Sequence, residues 1–369
     1  MSSSAVPSVG VSMLLPFDKT PSFSYKERTR RLLHLASYKS GFSSLYARLQ
    51  QESVATILMY HSVPTLDESR WIDPYNSLCA RDFNRQMRFL ARHRHVISIG
   101  QLVQRLEQGK PLERGTVAIT FDDGYRNNLT VAAPILAKYN LPATIYLATG
   151  YVESGRNQWS DNLYAAFRAR SNSQLLLAEW DSTFHDWDLA NSKQRNQAHS
   201  ALAMYLIQAD LTTREALLTE IDKQLAPVAY PPRLTLNWEE AKTLKTQYPN
   251  ITLGVHTSNH LDLSTHCHKT KEEMTTSIQQ MMSGLGTKPK HFAFPYNRYC
   301  DKAQAQVKAA QLRSAVIANN DPVVRKNTAP HALPRLEAPR SMAILKSWTN
   351  GGFPDVSRRL FKQPWIRPY

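Results

Sequence analysis

Two adjacent carboxylates and a spaced pair of histidines are the residues through which this chain could do chemistry. Asp122 and Asp123 lie in Thr120-Phe121-Asp122-Asp123-Gly124-Tyr125, and His256 and His260 bracket His256-Thr257-Ser258-Asn259-His260, about 130 residues further on. The first motif ends an apolar run, Val117-Ala118-Ile119, that reads as a buried strand. Carboxylates at a strand end, followed by glycine, place negative charge on a tight turn rather than in a core. One carboxylate with two imidazoles is a ligand set that suits zinc or a similar divalent ion and leaves positions open for water and substrate. The remaining aspartate is then available as a base toward that water. Each motif alone has a bland reading, since Asp-Asp before glycine is an ordinary turn and two histidines four apart are ordinary surface decoration. Their shared register is the argument.

That register comes from the elements that carry them. Residues 54–60 read as a buried strand ending at His61, residues 81–95 as a helix, residues 96–98 as a short strand and residues 99–108 as a second helix. The Asp-Asp strand follows, then a helix from Asn128 to Tyr139 interrupted by Pro134, and a strand from Ala143 to Ala148. Residues 160–235 break the rhythm and read as a polar helical insertion that would roof the site, closed by Pro227, Pro231 and Pro232. The alternation resumes with a helix at 238–246, a strand at 251–255 ending at the histidine pair, a helix at 271–283, a strand at 291–294, a helix at 302–311 and a strand at 315–318. Strands alternating with helices predict a parallel sheet with right-handed crossovers. His61, Asp122, Asp123, His256, His260 and Pro295-Tyr296 all fall at predicted C-terminal strand ends, the face where parallel barrels build their chemistry. Scattered structural residues have no reason to share it.

The bulk properties narrow the classes. A chain of 369 residues with 42% hydrophobic content can form one large α/β barrel. Lys and Arg total 45 against 30 Asp and Glu, a formal charge of +15, which suits an anionic partner such as a membrane surface or a phosphate-bearing carrier. No zinc finger, RNA-recognition signature or basic-region helix is present, so no nucleic acid is expected. Cys79, Cys267 and Cys300 are odd in number and widely spaced, so no disulfide framework or CxxC site is argued, which fits a reducing compartment. Residues 1–53 divide into a Ser/Pro-rich, disordered start and a basic amphipathic segment at 26–50, read either as a membrane-surface helix or as a helix packed on the barrel. No convincing signal peptide and no apolar run of the roughly 20 residues that span a bilayer are seen. The expected location is therefore cytoplasmic, or peripheral at the inner membrane. Residues 342–369 read as a basic, aromatic tail without clear periodicity.

At these motifs the chain resembles the polysaccharide deacetylase family, the NodB-like carbohydrate esterases of family 4. Thr120-Phe121-Asp122-Asp123-Gly124 is similar to the family's first motif, His256 to His260 to its second, and Phe294-Pro295-Tyr296 to the core of its third. Ile57-Leu58-Met59-Tyr60-His61-Ser62-Val63 is similar to the opening of the exopolysaccharide-linked subgroup that includes poly-N-acetylglucosamine deacetylases. The resemblance spans about residues 54–340 and implies a distorted (β/α)7 barrel over residues 54–341, with the insertion at about 160–235. It implies one Zn²⁺, or Co²⁺ or Ni²⁺ in its place, held by Asp123, His256 and His260. Asp122 would be the general base, and the backbone N–H of Tyr296 would help to stabilise the oxyanion formed on an N-acetyl carbonyl. The chain departs from the family where Ala293 stands in place of a common arginine, and where no clean final motif supplies a general acid. His61 is the first candidate for that acid and His331 the second. Arg335, in Leu333-Pro334-Arg335-Leu336, would pair with Asp122 and hold it ionised.

The implied activity is removal of N-acetyl groups from a glycan in exopolysaccharide or cell-envelope metabolism. An O-acetyl esterase, a deformylase acting on a lipid-linked sugar and a catalytically silent carbohydrate-binding barrel stand as alternatives. Around the site, Tyr125 and Arg126 would frame the mouth, Trp159 would begin the insertion with Asp161 and offer a face to a sugar ring, and His266 and His268 would be solvated loop residues.

Overall fold

The computed structural model describes residues 53–182, 184–317 and 322–350, together with positions 32, 36, 40, 41 and 45. Leu32, Ala36 and Leu45 are helical. The rest of the basic segment, the first 31 residues and the tail beyond residue 350 lie outside the described residues, as does the expectation placed on them.

Seven parallel strands close a ring. In chain order they are β1 (Ala55–Tyr60), β3 (Thr116–Phe121), β4 (Ala143–Leu147), β7 (Ile251–Val255), β8 (His291–Ala293), β9 (Ser314–Ile317) and β10 (Leu333–Glu337). Their spatial order is β1-β10-β9-β8-β7-β4-β3, and β3 returns to β1 over its full length. A two-residue strand, β2 (His95–Val96), pairs with the first two residues on the other edge of β3, while β4 pairs with its last two. The strands are buried apolar runs, as parallel strands covered on both faces must be; every residue of β3 is buried.

Strand alternation sorts the side chains. Leu58, Tyr60, Val117, Ile119, Phe121, Ile145, Leu147, Leu253, Val255 and Phe292 join the core shared with the surrounding helices. Ile57, Ala118, Tyr146, Ala293, Val316 and Leu333, on the opposite parity, form a separate cluster in the barrel interior. Thr120, Asp122, His256 and Arg335 share that inward parity, so the period of two brings charged groups together at the top of a packed barrel. Gly254 is required where Tyr146 crosses the interior, because a Cβ there would sit 2.7 Å from the Tyr146 ring and from the His291 carbonyl.

The outer helices are α1 (Ala80–His93), α2 (Ile99–Glu107), α3 (Ala133–Lys138), α4 (Thr149–Ser154), α8 (Trp238–Gln247), α9 (Thr270–Leu285), α10 (Asp301–Ala309) and α11 (Met342–Trp348). Ser98 and Asn237 close reciprocal capping boxes with Gln101 and Glu240, which fixes the starts of α2 and α8. The expected Asn128–Tyr139 helix is split: a π turn, Asn128–Ala132, precedes α3, and Pro134 occupies the first turn of α3, where its missing N–H costs nothing. Between α4 and α8 the insertion contributes α5 (Trp159–Ala169), a β5–β6 hairpin (Gln174–Leu175 with Trp187–Asp188), α6 (Ser192–Gln208) and α7 (Leu211–Leu225). It is not merely a polar roof: Leu163, Phe167, Trp187, Leu202, Leu206 and Leu217 give it an apolar core of its own.

Three expectations need correction. Residues 342–348 are not featureless tail but a helix whose Ile344 and Trp348 pack on Leu336. Cys267 and Cys300 are joined by a disulfide, because the loops after β7 and β8 are neighbours in the ring and bring the two Cα atoms to 6.2 Å. His331 lies before the start of β10, at the opposite end of the barrel from Asp122, and its Nε2 is 2.7 Å from the Leu312 carbonyl. Among the described residues no helix is long and apolar enough to cross a membrane.

Candidate active site

The strand ends deliver the sequence-predicted groups to one place. The Asp122 N–H donates to the Tyr60 carbonyl at 3.0 Å, extending the β1–β3 ladder by one residue. Its carboxylate takes a two-pronged contact from Arg335: Nη1 donates to Oδ1 at 2.6 Å and Nη2 to Oδ2 at 2.7 Å. Nη1 also reaches Thr120 Oγ1, and Nη2 reaches Asn297 Oδ1 at 3.1 Å. Burial alone would raise the Asp122 pKa. The Arg335 guanidinium, with help from His256 and His61, outweighs it and holds the carboxyl below its ordinary range.

Asp123 is different although it is the next residue. Its backbone is left-handed, φ 73°, which breaks the strand alternation and sends consecutive carboxylates to different partners. Oδ1 lies 3.2 Å from His260 Nε2 and 3.6 Å from His256 Nε2, is buried, and makes no well-formed hydrogen bond. Burial again pushes its pKa up, but His260, with His61 and His256, holds it well below the ordinary value.

The two imidazoles face each other, with Nε2 atoms 3.1 Å apart. His256 Nδ1 lies 2.8 Å from the Ala293 carbonyl, which can only accept, so the proton sits on Nδ1 and Nε2 presents a lone pair. Burial lowers the His256 pKa to about 4, so the ring is neutral near pH 7. The ligand atoms of Asp123, His256 and His260 all lie within 4.8 Å of one another, and all three residues are buried. An orphaned carboxylate oxygen between two opposed ring nitrogens has no good partner within the protein. A divalent cation satisfies all three, and this oxygen and nitrogen set fits zinc or a similar ion.

The remaining candidates divide. His61, half-buried just past β1, is close enough to help depress both aspartates, and its carbonyl accepts from Asn128 Nδ2 at 2.8 Å. Tyr296 sits in the turn after β8 with φ 54°, and its ring packs edge-on against His260 at 4.5 Å. Its hydroxyl donates to the His260 carbonyl at 3.2 Å and accepts from Trp159 Nε1 at 2.9 Å. Trp159 is therefore no sugar platform: it is buried, and the Arg214 guanidinium covers its ring at 5.3 Å. Tyr125 does not frame a mouth either, because it is buried and its hydroxyl donates to Asp161 Oδ1 at 3.2 Å. Asp161 is itself buried beyond solvent, and that burial pushes its pKa far up. Arg126 is exposed and pairs with Glu240 at 2.7 Å. His268 is exposed, whereas His266 docks on the Gln208 carbonyl at 2.9 Å.

Sequence reasoning missed the groups that hold the histidine turn. Glu273 Oε2 accepts from the backbone N–H of Ser258 at 3.0 Å and of Asn259 at 2.8 Å, and Oε1 accepts from Asn259 Nδ2 at 2.8 Å. Gln280, two turns along the same face of α9, accepts from Ser258 Oγ at 3.1 Å and Thr149 Oγ1 at 2.7 Å. Gly150 donates its N–H to the Ser258 carbonyl at 2.9 Å, an approach so close that a Cβ there would lie 2.8 Å from the same oxygen. The only available signal was the helical spacing of Glu273 and Gln280, which does not reveal what they face.

Comparison with known proteins agrees with this geometry. The profile of a family described as polysaccharide deacetylase matches residues 109–315. A poly-β-1,6-N-acetyl-D-glucosamine N-deacetylase of Staphylococcus aureus is 28% identical over 194 residues, 49% of this chain and 65% of that protein. A Bacillus subtilis relative is matched over 37% of its own length, so in neither case does the match reach two thirds of the relative. Among solved structures, the Streptococcus pyogenes deacetylase PplD in complex with acetate superposes with a TM-score of 0.53 at 17% identity, covering 82% of this chain and 99% of that one. IcaB from Ammonifex degensii gives 0.53 at 14% identity with the same coverage. Both likenesses establish the fold.

Proposed function

Since this chain belongs to the polysaccharide deacetylase family, we propose that it is a metal-dependent hydrolase that removes N-acetyl groups from an amino-sugar exopolysaccharide. One observation carries the reading: the orphaned Asp123 oxygen converges with two facing imidazole nitrogens beside a second carboxylate kept ionised by Arg335. The name of the S. aureus relative points to a poly-N-acetylglucosamine substrate.

Asp123, His256 and His260 would hold the ion. When bound, it would supply Lewis-acid polarisation and a more acidic water. The protein's own groups have separable tasks. Asp122 is the base that accepts the proton of the attacking water; Arg335 keeps it ionised and fixes its plane, so position rather than high basicity makes it effective. His61, half-buried at the rim, is the acid for the departing amine. The backbone N–H of Tyr296 is the donor to the developing oxyanion, and the spent Tyr296 hydroxyl holds the turn in place. A disulfide persists in oxidising surroundings, which supports a polymer substrate outside the cytosol over a cytosolic carrier-linked sugar.

The test is a substrate panel. β-1,6-linked N-acetylglucosamine oligomers and their O-acetylated counterparts are incubated with the full chain, and free amine and acetate are quantified together. Equal release of amine and acetate from the N-acetylated oligomer is expected. Acetate without amine, from the O-acetylated sugar alone, would replace this reading with an esterase.

A further inference from the structure

The turn Thr257–His260 carries two non-glycine residues in the left-handed region, Thr257 at φ 62° and His260 at φ 52°. Thr257 is β-branched, and such a backbone persists only where its surroundings over-determine it. Here the surroundings do so. The carbonyls of Thr257 and Ser258 accept from the N–H groups of Thr149 and Gly150 at 3.1 and 2.9 Å. The carbonyl of Asn259 accepts from Arg214 Nη1 at 3.2 Å, and that of His260 accepts from the Tyr296 hydroxyl at 3.2 Å. On the donor side, Ser258 and Asn259 give their N–H groups to Glu273, and His260 gives its own to Thr257 Oγ1 at 3.0 Å.

Two of these partners are buried charged side chains. Glu273 is 4% exposed and Arg214 1% exposed, and among the described residues neither forms a salt bridge, the nearby Lys269 pairing instead with Glu272 and Glu215 with Arg156. A buried charge outside a salt bridge is costly. It is tolerated here because the peptide groups around Asn259 stand between the two, offering N–H groups to the carboxylate and a carbonyl to the guanidinium. Arg214 also donates Nε to the Leu206 carbonyl at 3.1 Å and lies over Trp159. It belongs to α7, in the insertion, whereas Glu273 belongs to α9, in the barrel.

We propose that Glu273 and Arg214 are positioning residues that clamp the histidine turn from opposite sides, so that the helical insertion presets the geometry with which His256 and His260 meet a divalent cation. The proposal rests on the metal-centre reading above and extends it to residues outside the ligand set. Neither residue touches the ligand atoms; both act through the backbone of Asn259.

The experiment titrates Zn²⁺ and Co²⁺ alone into metal-free full-length protein against a chromophoric chelator, and records the visible Co²⁺ spectrum and the melting temperature. Glu273→Ala and Arg214→Met should each weaken metal affinity by roughly 10–100-fold, the range seen when groups supporting metal ligands are lost. Each should also change the Co²⁺ spectrum, which a merely structural role would leave alone. Glu273→Gln keeps an acceptor for the two N–H groups and should recover most of the affinity. Arg214→Lys, which keeps the charge but loses the planar donor pair, should recover little. If either truncated variant fails to fold, Arg214→Lys carries the test: weakened affinity and a changed Co²⁺ spectrum are expected, and wild-type values for both would overturn the clamp. Wild-type affinity and spectrum in Glu273→Ala and Arg214→Met would overturn the clamp. Absence of Zn²⁺ and Co²⁺ binding by the wild type would instead overturn the metal-centre reading itself.

Discussion

The aspartate turn and the histidine turn face each other across the barrel mouth and are held by opposite means. Asp122 is fixed by a single strong contact, an Arg335 fork donated across the interior from β10. The histidine turn is held through its backbone by many single hydrogen bonds, from α4, α7, α9 and the Tyr296 turn. The first arrangement sets a charge and the second sets a shape. A base of lowered pKa needs a cation that fixes both its charge and its plane, whereas two ligating nitrogens need fixed directions more than they need charge.

Removing the fork should give the largest effect. Arg335→Met leaves Asp122 as a buried, uncompensated carboxylate, and we expect a loss of about 3–5 kcal/mol of stability, read from denaturant unfolding. Deacetylation should fall by roughly 10²–10⁴-fold, the usual worth of a general base. If Arg335→Met kept wild-type turnover, the fork would have no part in the chemistry.

Next is the disulfide, which ties the loop beyond His260 to the loop that carries Tyr296. Replacing Cys267 and Cys300 by serine should cost about 2–4 kcal/mol. It should also weaken metal binding more than it disturbs the Asp122–Arg335 pair, because only the histidine side loses its tether.

Acid should separate the two turns. The folded pKa of Asp122 lies below its unfolded value. Its contribution to stability is therefore present above the unfolded pKa of about 3.9 and is lost as pH falls through the folded value. Melting curves of metal-free wild type and Asp122→Asn should differ near pH 7 and begin to converge only as pH falls below about 4, toward the lowered folded value. A gap that stayed constant across that range would contradict the charge-setting role.

The smallest effect is expected from Trp159→Phe, which removes the donor to the Tyr296 hydroxyl and keeps a smaller buried ring beneath Arg214. About 1 kcal/mol should be lost, with a modest drop in metal affinity and little change in the Asp122 side.

The contrast between the turns also explains what could be read from the residues in order. The alternation of strands and helices is local, so the parallel strands and the placement of His61, Asp122 and His256 at their ends followed from runs such as Val117 to Phe121. Arg335 was suggested only by the charge it could give Asp122, and the strand that carries it, β10, went unrecognised. Pro334 argues against a strand, and the partner lies 213 positions away. The disulfide failed for the same reason, since ring closure and not spacing brings Cys267 to Cys300. The sequence pattern alone offers Trp159 to a sugar ring and Tyr125 to the mouth, but burial against Arg214 and Asp161 decides their role, and burial is a property of the assembled fold. The π turn before Pro134 was visible only as an irregularity in the helical pattern.

The central claim is that the two turns together make a metal-dependent deacetylase centre. The most direct test is acetate release from β-1,6-linked N-acetylglucosamine oligomers by the full chain before chelation, after chelation, and after Zn²⁺ is returned. Release should be abolished by the chelator and restored by Zn²⁺ in the wild type but not in Asp123→Ala. Undiminished release from the stripped protein, or equal restoration in Asp123→Ala, would contradict it.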